Sequence, residues 1–301
     1  MKKTYIQRAG AAIALVLGLL ISGETKAQLN PLGGIYFQNR YQANPALAGS
    51  DSGLTVNLGY RKQWNSIPGA PKTQALTATY GLNEKVGLGL NVYNDEAGLM
   101  RRTKVMGSYA YHLPVGAEEQ KLSFGLSLGF MNERVGYEDM VGDPNDQNVN
   151  RFNQRETFID GDFGAAYRSN KLTVQAAIPN LKNFFGTDDN ANTVDHSLFY
   201  TALSYKFYFE QYLDGLGIEP LAAFRGVKGF DNIGDFGANL TFANNAVSLS
   251  GMYHTSKSAT IGMGVNFRKS ISILGIYTTE TSALSGYTKG NFEVALKARL
   301  F

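Results

Sequence analysis

The chain has 301 residues, with 34 glycines, 17 tyrosines, 18 phenylalanines and no cysteine, and 28 lysines and arginines against 25 aspartates and glutamates. The lack of cysteine excludes a disulfide framework and a cysteine-linked lipid anchor. Residues 1–27 hold four of the cationic side chains and one of the anionic ones. The remainder is therefore formally neutral, and a nucleic-acid partner is not indicated.

The first 27 residues have the pattern of a secretory signal peptide. Lys2, Lys3 and Arg8 precede an apolar run over residues 9–21, and small residues then lead to Ala27. The run is too short to span a bilayer comfortably as a helix. We therefore predict a signal peptide at 1–27 that is removed before the next residue, Gln28.

Residues 28–50 do not alternate between apolar and polar side chains. Prolines and glycines interrupt the segment, with tyrosine and phenylalanine between them. Two interpretations stay open: an irregular N-terminal segment folded into a barrel mouth as a plug, or a mobile leader.

Residues 51–301 alternate with a period of two, which is typical of β-strands with one apolar face. The clearest segment covers residues 122–130, where leucines and phenylalanines alternate with serines and glycines. The last segment covers residues 291–301 and ends on Phe301, an aromatic terminus common in outer-membrane barrels, although Phe301 falls on its charged parity. We predict about fourteen strands, all antiparallel.

Three features favour a membrane barrel over a soluble sandwich. The polar faces are rich in Gly, Ser, Thr and Asn, and aromatic residues collect at strand ends, as in interfacial girdles. Connection lengths also alternate. Short connections are predicted at 81–85, 169–171, 243–246 and 268–270, and long ones at 61–72, 94–102, 132–157, 179–197 and 278–290. We therefore predict a transmembrane antiparallel β-barrel in the outer membrane of a Gram-negative bacterium, with both termini in the periplasm.

Few residues point to metal or acid–base chemistry. The three histidines, His112, His196 and His254, are far apart and lack ligand spacing. A polar run in the longest loop supplies a weak calcium candidate, for which a loop with Asx turns is the commoner reading. The candidate ligands are Asp143, Asn145 and Asp146.

A pair of carboxylates lies on one strand face. Asp160 and Asp162 have the spacing of an acid–base pair, but Arg168 on the same face favours a structural ion pair. No nucleophile with a nearby histidine stands out. We therefore expect no enzymatic activity and no cofactor.

Three motifs occur in a fixed order. Residues 44–49 read Asn-Pro-Ala-Leu-Ala-Gly, residues 61–71 read Arg-Lys-Gln-Trp-Asn-Ser-Ile-Pro-Gly-Ala-Pro, and residues 94–98 read Asn-Asp-Glu-Ala-Gly. In this order after a signal peptide, they resemble the PorP/SprF family of type IX secretion membrane proteins. The resemblance is strong over residues 28–113 and includes the Ser-Tyr-Ala-Tyr-His-Leu run at 108–113.

The resemblance implies an outer-membrane barrel without known enzymatic activity that works with the secretion and gliding machinery. Its implied partners, besides outer-membrane lipid, are secreted proteins with a C-terminal sorting domain, periplasmic secretion-ring proteins, or both. A fatty-acid-transporter-like or porin-like channel for small solutes is the alternative.

The motifs also supply the candidate site. Trp64, the only tryptophan, lies in a loop stiffened by proline and glycine, which suits either a plug or a partner anchor. The residues predicted to form a plug or a partner-binding surface are Asn44, Pro45, Arg61, Gln63, Trp64, Ile67, Pro68, Gly69, Pro71, Asn94 and Asp95.

Overall fold

The computed structural model describes residues 34–64, 69–116, 120–136, 153, 157–185, 197–227, 231–268, 270–279 and 290–300. The predicted signal peptide, the calcium candidates Asp143, Asn145 and Asp146, and His196 and Phe301 lie outside these residues.

Fifteen strand segments are described. They are β1 (Gly53–Gln63), β2 (Lys72–Gly81), β3 (Val86–Ala97), β4 (Met100–Pro114), β5 (Lys121–Val135), β6 (Phe158–Arg168), β7 (Leu172–Ile178), β8 (Ser197–Tyr205), β9 (Phe207–Phe209), β10 (Leu216–Val227), β11 (Ile233–Phe242), β12 (Val247–His254), β13 (Ser258–Phe267), β14 (Ile271–Thr278) and β15 (Asn291–Arg299). One short helix, α1, covers Leu181–Phe185, and two 3-10 turns cover Arg40–Gln42 and Pro45–Leu47.

The sheet closes on itself. Apart from β8 and β9, which both pair with β10, each strand pairs antiparallel with its neighbours in the chain. β10 also pairs with β11, and β15 pairs with β1. The segments β8 and β9 lie on β10 in one register on either side of Lys206 and therefore form a single strand. The predicted fourteen-stranded antiparallel barrel is confirmed.

Side-chain alternation sets the two faces of the wall. On β5, Leu126 and Leu128 point outward and are 53% and 63% exposed, whereas Ser127 between them is 3% exposed. A continuous outward band of leucine, isoleucine, phenylalanine and tyrosine is expected of a surface that meets lipid. None of the described helices is long and apolar enough to cross a membrane.

The two ends of the barrel differ in their connections. We call the turn end the one that carries the turns after β2, β4, β6, β9, β11 and β13 together with the start of β1 and the end of β15. The loop end carries the connections after β1, β3, β5, β7, β10, β12 and β14, which include all the longest ones.

One predicted long loop is wrong. Residues 94–102 form the ends of β3 and β4, where Asn94 pairs with Thr103, and only Gly98 and Leu99 remain as the turn. Gly98 has a φ of 58°, which glycine adopts at little cost and which permits so tight a hairpin. Tyr93, expected in an outward girdle, instead points into the lumen because it lies on the inward parity of β3.

The outward parity can be tested with charge. Leu126→Arg places a guanidinium in the apolar band, and we expect it to destabilise the folded barrel by about 2–4 kcal/mol near mid-bilayer. The control is Ser250→Arg, because Ser250 lines an open part of the lumen. Urea unfolding in vesicles measures both, and equal losses would contradict the assigned faces.

Candidate functional site: the plug and the cavity at its loop end

Residues 34–52 run through the lumen and fill its middle, and we call them the plug. Their course begins beside Glu293, whose carboxylate accepts a 2.7 Å hydrogen bond from the Gly34 N–H. It ends at the turn end, where β1 begins. Most of the side chains from Ile35 to Ala48 are buried or half-buried against the inner wall. The described part of the predicted N-terminal segment is therefore a plug.

Asn44 fixes the centre of the plug. Its side-chain oxygen accepts a 2.9 Å hydrogen bond from the Ala46 N–H and so caps the 3-10 turn Pro45–Leu47. Its amide nitrogen donates to the backbone carbonyls of Ala165 and Ala176, at 3.1 and 3.2 Å. One side chain thus shapes the plug and ties it to two neighbouring strands.

Glycines on the inner wall make room for this turn. A Cβ at Gly125 would overlap the backbone of Pro45 and Ala46, and a Cβ at Gly164 would overlap the Asn44 side chain. The small residues on the inner face of the strands thus leave the space that the Asn-Pro-Ala motif of the plug occupies.

A buried ionic cluster holds the first part of the plug. The Tyr36 hydroxyl donates to Asp235, at 3.0 Å. The same carboxylate accepts two hydrogen bonds from Arg225, at 2.8 and 3.0 Å, and contacts His254 at 2.5 Å. His254 also contacts Thr260 at 2.8 Å. Because these groups are buried, losing Asp235 would remove a partner from Tyr36, Arg225 and His254 at once, which is costly in the protein interior.

Two further side chains tie the middle of the plug to the wall. Arg40 forms an ion pair with Glu219 on β10. The Tyr41 hydroxyl bonds to Ser108 on β4 at 2.7 Å, and Ser108 bonds in turn to Ser127. The plug therefore contacts the wall on several sides.

At the turn end, His112 bonds to the Ala48 carbonyl at 3.0 Å, and Arg168 bonds to Ser50 and pairs with Asp51 at 3.3 Å. Burial acts to raise the pKa of the Asp51 carboxyl, but Arg168 and two basic side chains of β15 outweigh it and hold that pKa below its usual value. The predicted pairing of Arg168 with Asp160 or Asp162 is therefore wrong, because the plug supplies a closer carboxylate.

A cavity lies between the plug and the loop end of the barrel, and we call it the loop-end cavity. Its lining includes five of the predicted site residues, which are Pro45, Arg61, Gln63, Pro71 and Asp95. Arg61 and Gln63 are there because β1 continues to Gln63, so both lie on an inward strand face rather than in a loop.

The other predicted site residues take different places. Trp64 is half-buried just after β1 and has a φ of 47°. Its backbone N–H donates a 3.0 Å hydrogen bond to the Gly290 carbonyl. The Gly69 carbonyl accepts from the Gly98 N–H at 3.1 Å. Asn94 lies on the outward parity, bonded to Thr103, while its neighbour Asp95 lines the cavity. Ile67 and Pro68 lie outside the described residues.

Sequence reasoning did not assign several cavity residues to the candidate site. They are Tyr41 of the plug and the wall residues Tyr93, Arg102, Lys104, Asp162, Tyr200 and Arg225. The sequence offered one signal for the wall residues among them, which is that each lies on the inward face of a strand toward its loop end. It does not reveal which strands face each other across the lumen.

Charges around the cavity are largely paired. Arg102 contacts Glu133 at 2.6 Å, and Lys104 contacts Asp162 at 3.0 Å. Asp95 accepts a 2.6 Å hydrogen bond from Thr73. Charged side chains between tyrosines and prolines form a mixed polar and apolar surface. Within the described ranges, no group of three or more His, Cys, Asp or Glu side chains has the geometry to hold a metal ion.

Comparisons with known proteins agree with this architecture. The family model described as type IX secretion system membrane protein PorP/SprF matches residues 25–298. No curated protein sequence matches the chain significantly.

Among solved structures, the Acinetobacter baumannii outer membrane protein Omp33 is similar at 10% identity and a TM-score of 0.50, over 84% of this chain and 100% of that one. A protein titled CymD monoaromatic hydrocarbon channel is similar at 11% identity and a TM-score of 0.49, over 91% of this chain and 94% of that one. At such identity, the likeness to Omp33 bears on the fold alone.

The role of Asn44 in the plug can be tested. Asn44→Ala removes the cap and leaves two strand carbonyls without their plug donor, so we expect a loss of roughly 1–3 kcal/mol in stability. The control, Asn94→Ala, removes a half-buried outward amide that makes no contact with the plug, and it should cost under about 0.5 kcal/mol. Unfolding followed by heat-modifiable gel migration compares them, and matching midpoints would refute the assigned role.

Proposed function

Because the chain belongs to the PorP/SprF family of type IX secretion system membrane proteins, we propose that it is a non-enzymatic, plugged component of that machinery in the outer membrane. It acts by binding other proteins rather than by passing solutes. The family match extends the resemblance from residues 28–113 to most of the chain.

The plug is the single observation that carries this proposal. Its ties reach strands on several sides of the wall, from Glu293 on β15 through Asp235 on β11 to Ser108 on β4. Many of these groups are buried, so moving the plug would leave several polar groups without partners at once. A barrel closed in this way is better suited to holding a partner at its ends than to diffusion through its centre.

The loop-end cavity is the proposed site for secreted cargo. It joins three family motifs, through Pro45, Arg61 and Asp95, at one place in the lumen. Its tyrosines, prolines and paired charges suit a polypeptide segment, which itself presents amides, apolar groups and charges of both signs. Secreted proteins with a C-terminal sorting domain would bind here, and periplasmic secretion-ring proteins at the turn end.

One observation favours the alternative, a channel for small solutes. A second cavity lies beside the plug toward the turn end, lined mainly by serine, threonine and asparagine together with Lys297 and Arg299. If the plug shifted, this polar cavity would become part of a porin-like path for small solutes.

Conductance and capture together separate the two functions. In planar bilayers we expect the purified protein to remain closed, and in native cells we expect tagged protein to capture secreted proteins that carry a C-terminal sorting domain. Asp95→Arg should reduce that capture about tenfold, since it reverses a charge in the cavity. The adjacent control, Asn94→Ala, should leave capture unchanged. Stable open channels, or capture indifferent to Asp95→Arg, would favour the channel.

Orientation can be tested because the chain has no cysteine. A single cysteine in place of Ser256, at the loop end, should react with a membrane-impermeant maleimide on intact cells. A cysteine in place of Asn170, at the turn end, should react only after the outer membrane is opened. Both positions lie in described turns outside the strands. The reverse labelling pattern would place the termini outside the cell.

A further inference from the structure

The hairpin of β9 and β10 extends past the end of β7 at the turn end. On one side of it, β7 begins at Leu172, which lies opposite Tyr205. The last contact there is the Lys206 N–H, which donates to the Lys171 carbonyl at 2.8 Å. Beyond that point, β9 pairs only with β10 among the described residues. On the other side of the hairpin, β10 stays paired with β11, and the carbonyls of Leu213 and Asp214 in the hairpin turn accept hydrogen bonds from the N–H groups of Ala243 and Asn244.

Both faces of β9 are exposed. Within the wall, the inward residues of the same strand are covered, and Ser204 is 4% exposed. Tyr208 has the same inward parity but is 57% exposed, while Phe207 and Phe209 on the outward parity are 46% and 42% exposed. The strand therefore has no described neighbour on the β7 side, and it carries large exposed side chains on both faces.

The backbone of β9 also has an open edge. The Lys206 N–H points toward β7, and peptide groups two residues apart in a strand point the same way. The N–H and carbonyl of Tyr208 therefore face the side on which β7 has already ended. Protruding strands with such an edge pair readily with another chain.

Lipid alone does not account for this surface. Phe207 and Phe209 fit an interfacial girdle, since they continue the outward parity. Tyr208 does not, and the turn adds Tyr212 and Leu213 at 63% and 66% exposure. A girdle also leaves the open backbone edge without a protein partner. A second strand would cover the aromatic side chains and satisfy the edge together.

We propose that β9 is a docking edge for an extended strand of a partner protein on the turn-end side of the membrane. The partner strand pairs beside Tyr208 and packs apolar side chains against the ring of Tyr208 and one of the flanking phenylalanines. The proposed function enters only in assigning this partner to the secretion machinery. The docking edge itself rests on the hairpin.

The test uses the full chain in native cells, with the photocrosslinker p-benzoylphenylalanine in place of Tyr212. The same crosslinker in place of Asn83, in the turn between β2 and β3, is the control for the turn end. Tyr208→Pro is then combined with the Tyr212 crosslinker, because proline removes the N–H on the open edge and leaves the ladder to β10 unchanged. Tyr208→Ala keeps that N–H and removes only the ring.

We expect one discrete protein adduct from position 212 and none from position 83. Tyr208→Pro should reduce the yield of the position-212 adduct about tenfold. Tyr208→Ala should reduce that yield by less, since this variant retains the backbone edge. If Tyr208→Pro does not give a heat-modifiable folded barrel, Tyr208→Asp replaces it, because a carboxylate beside the edge disfavours an approaching strand.

Adducts with lipid only, adducts with a second copy of this chain, or equal yields from the edge variant and the wild type would overturn the proposal. The cargo-capture experiment with Asp95→Arg tests the loop-end cavity, at the opposite end of the barrel from β9. The failure of either proposal is therefore distinguishable from the failure of the other.

Discussion

The structure depends on one constraint, which is that backbone N–H and carbonyl groups in a bilayer must find partners within the protein. The pairing of β15 with β1 and the continuity of β8 and β9 on β10 meet it by closing the sheet, so that each of the fourteen described strands has a neighbour on both sides. Closure of fourteen strands creates a lumen, and its inward face carries the polar half of every strand. What fills that lumen then decides what the barrel does.

The plug fills the lumen and is held there mainly by polar contacts rather than by an apolar core. Apolar packing is present, for example where Tyr36 lies near Leu221 and Met252, but the clusters are small. Most contacts between the plug and the wall are hydrogen bonds and ion pairs, such as those of Asn44 with β6 and β7 and that of Arg40 with β10. Such ties fix one position well, because a shifted plug would leave buried charges and amides unpaired.

The two ends of the barrel present different chemistry. At the loop end, the wall and the plug enclose a concave cavity in which charged side chains are paired. At the turn end, one hairpin extends past the end of β7 and exposes an aromatic strand edge. A closed barrel with unlike ends is suited to link proteins on the two sides of a membrane, and the middle of the plug separates the two surfaces.

The sequence by itself determined the alternation, the number of strands, the closing strand and the family. These follow from local periodicity, since each side chain in a strand faces opposite its neighbours. It also placed Pro45, Arg61, Gln63, Pro71 and Asp95 in one candidate site, through motifs that lie close together in the chain. It misplaced Asn94, whose parity is outward, and it expected a long loop where Gly98 makes a tight turn.

Only the tertiary structure decided what meets across the lumen. Arg168 pairs with Asp51 of the plug, and Lys104 rather than Arg168 pairs with Asp162, because closure brings together strands that are far apart in the chain. The protrusion of β9 was likewise hidden, since its alternation continues that of β8 without a break. Periodicity reports the direction of each side chain. The position where a neighbouring strand ends depends on register, which closure of the whole barrel fixes.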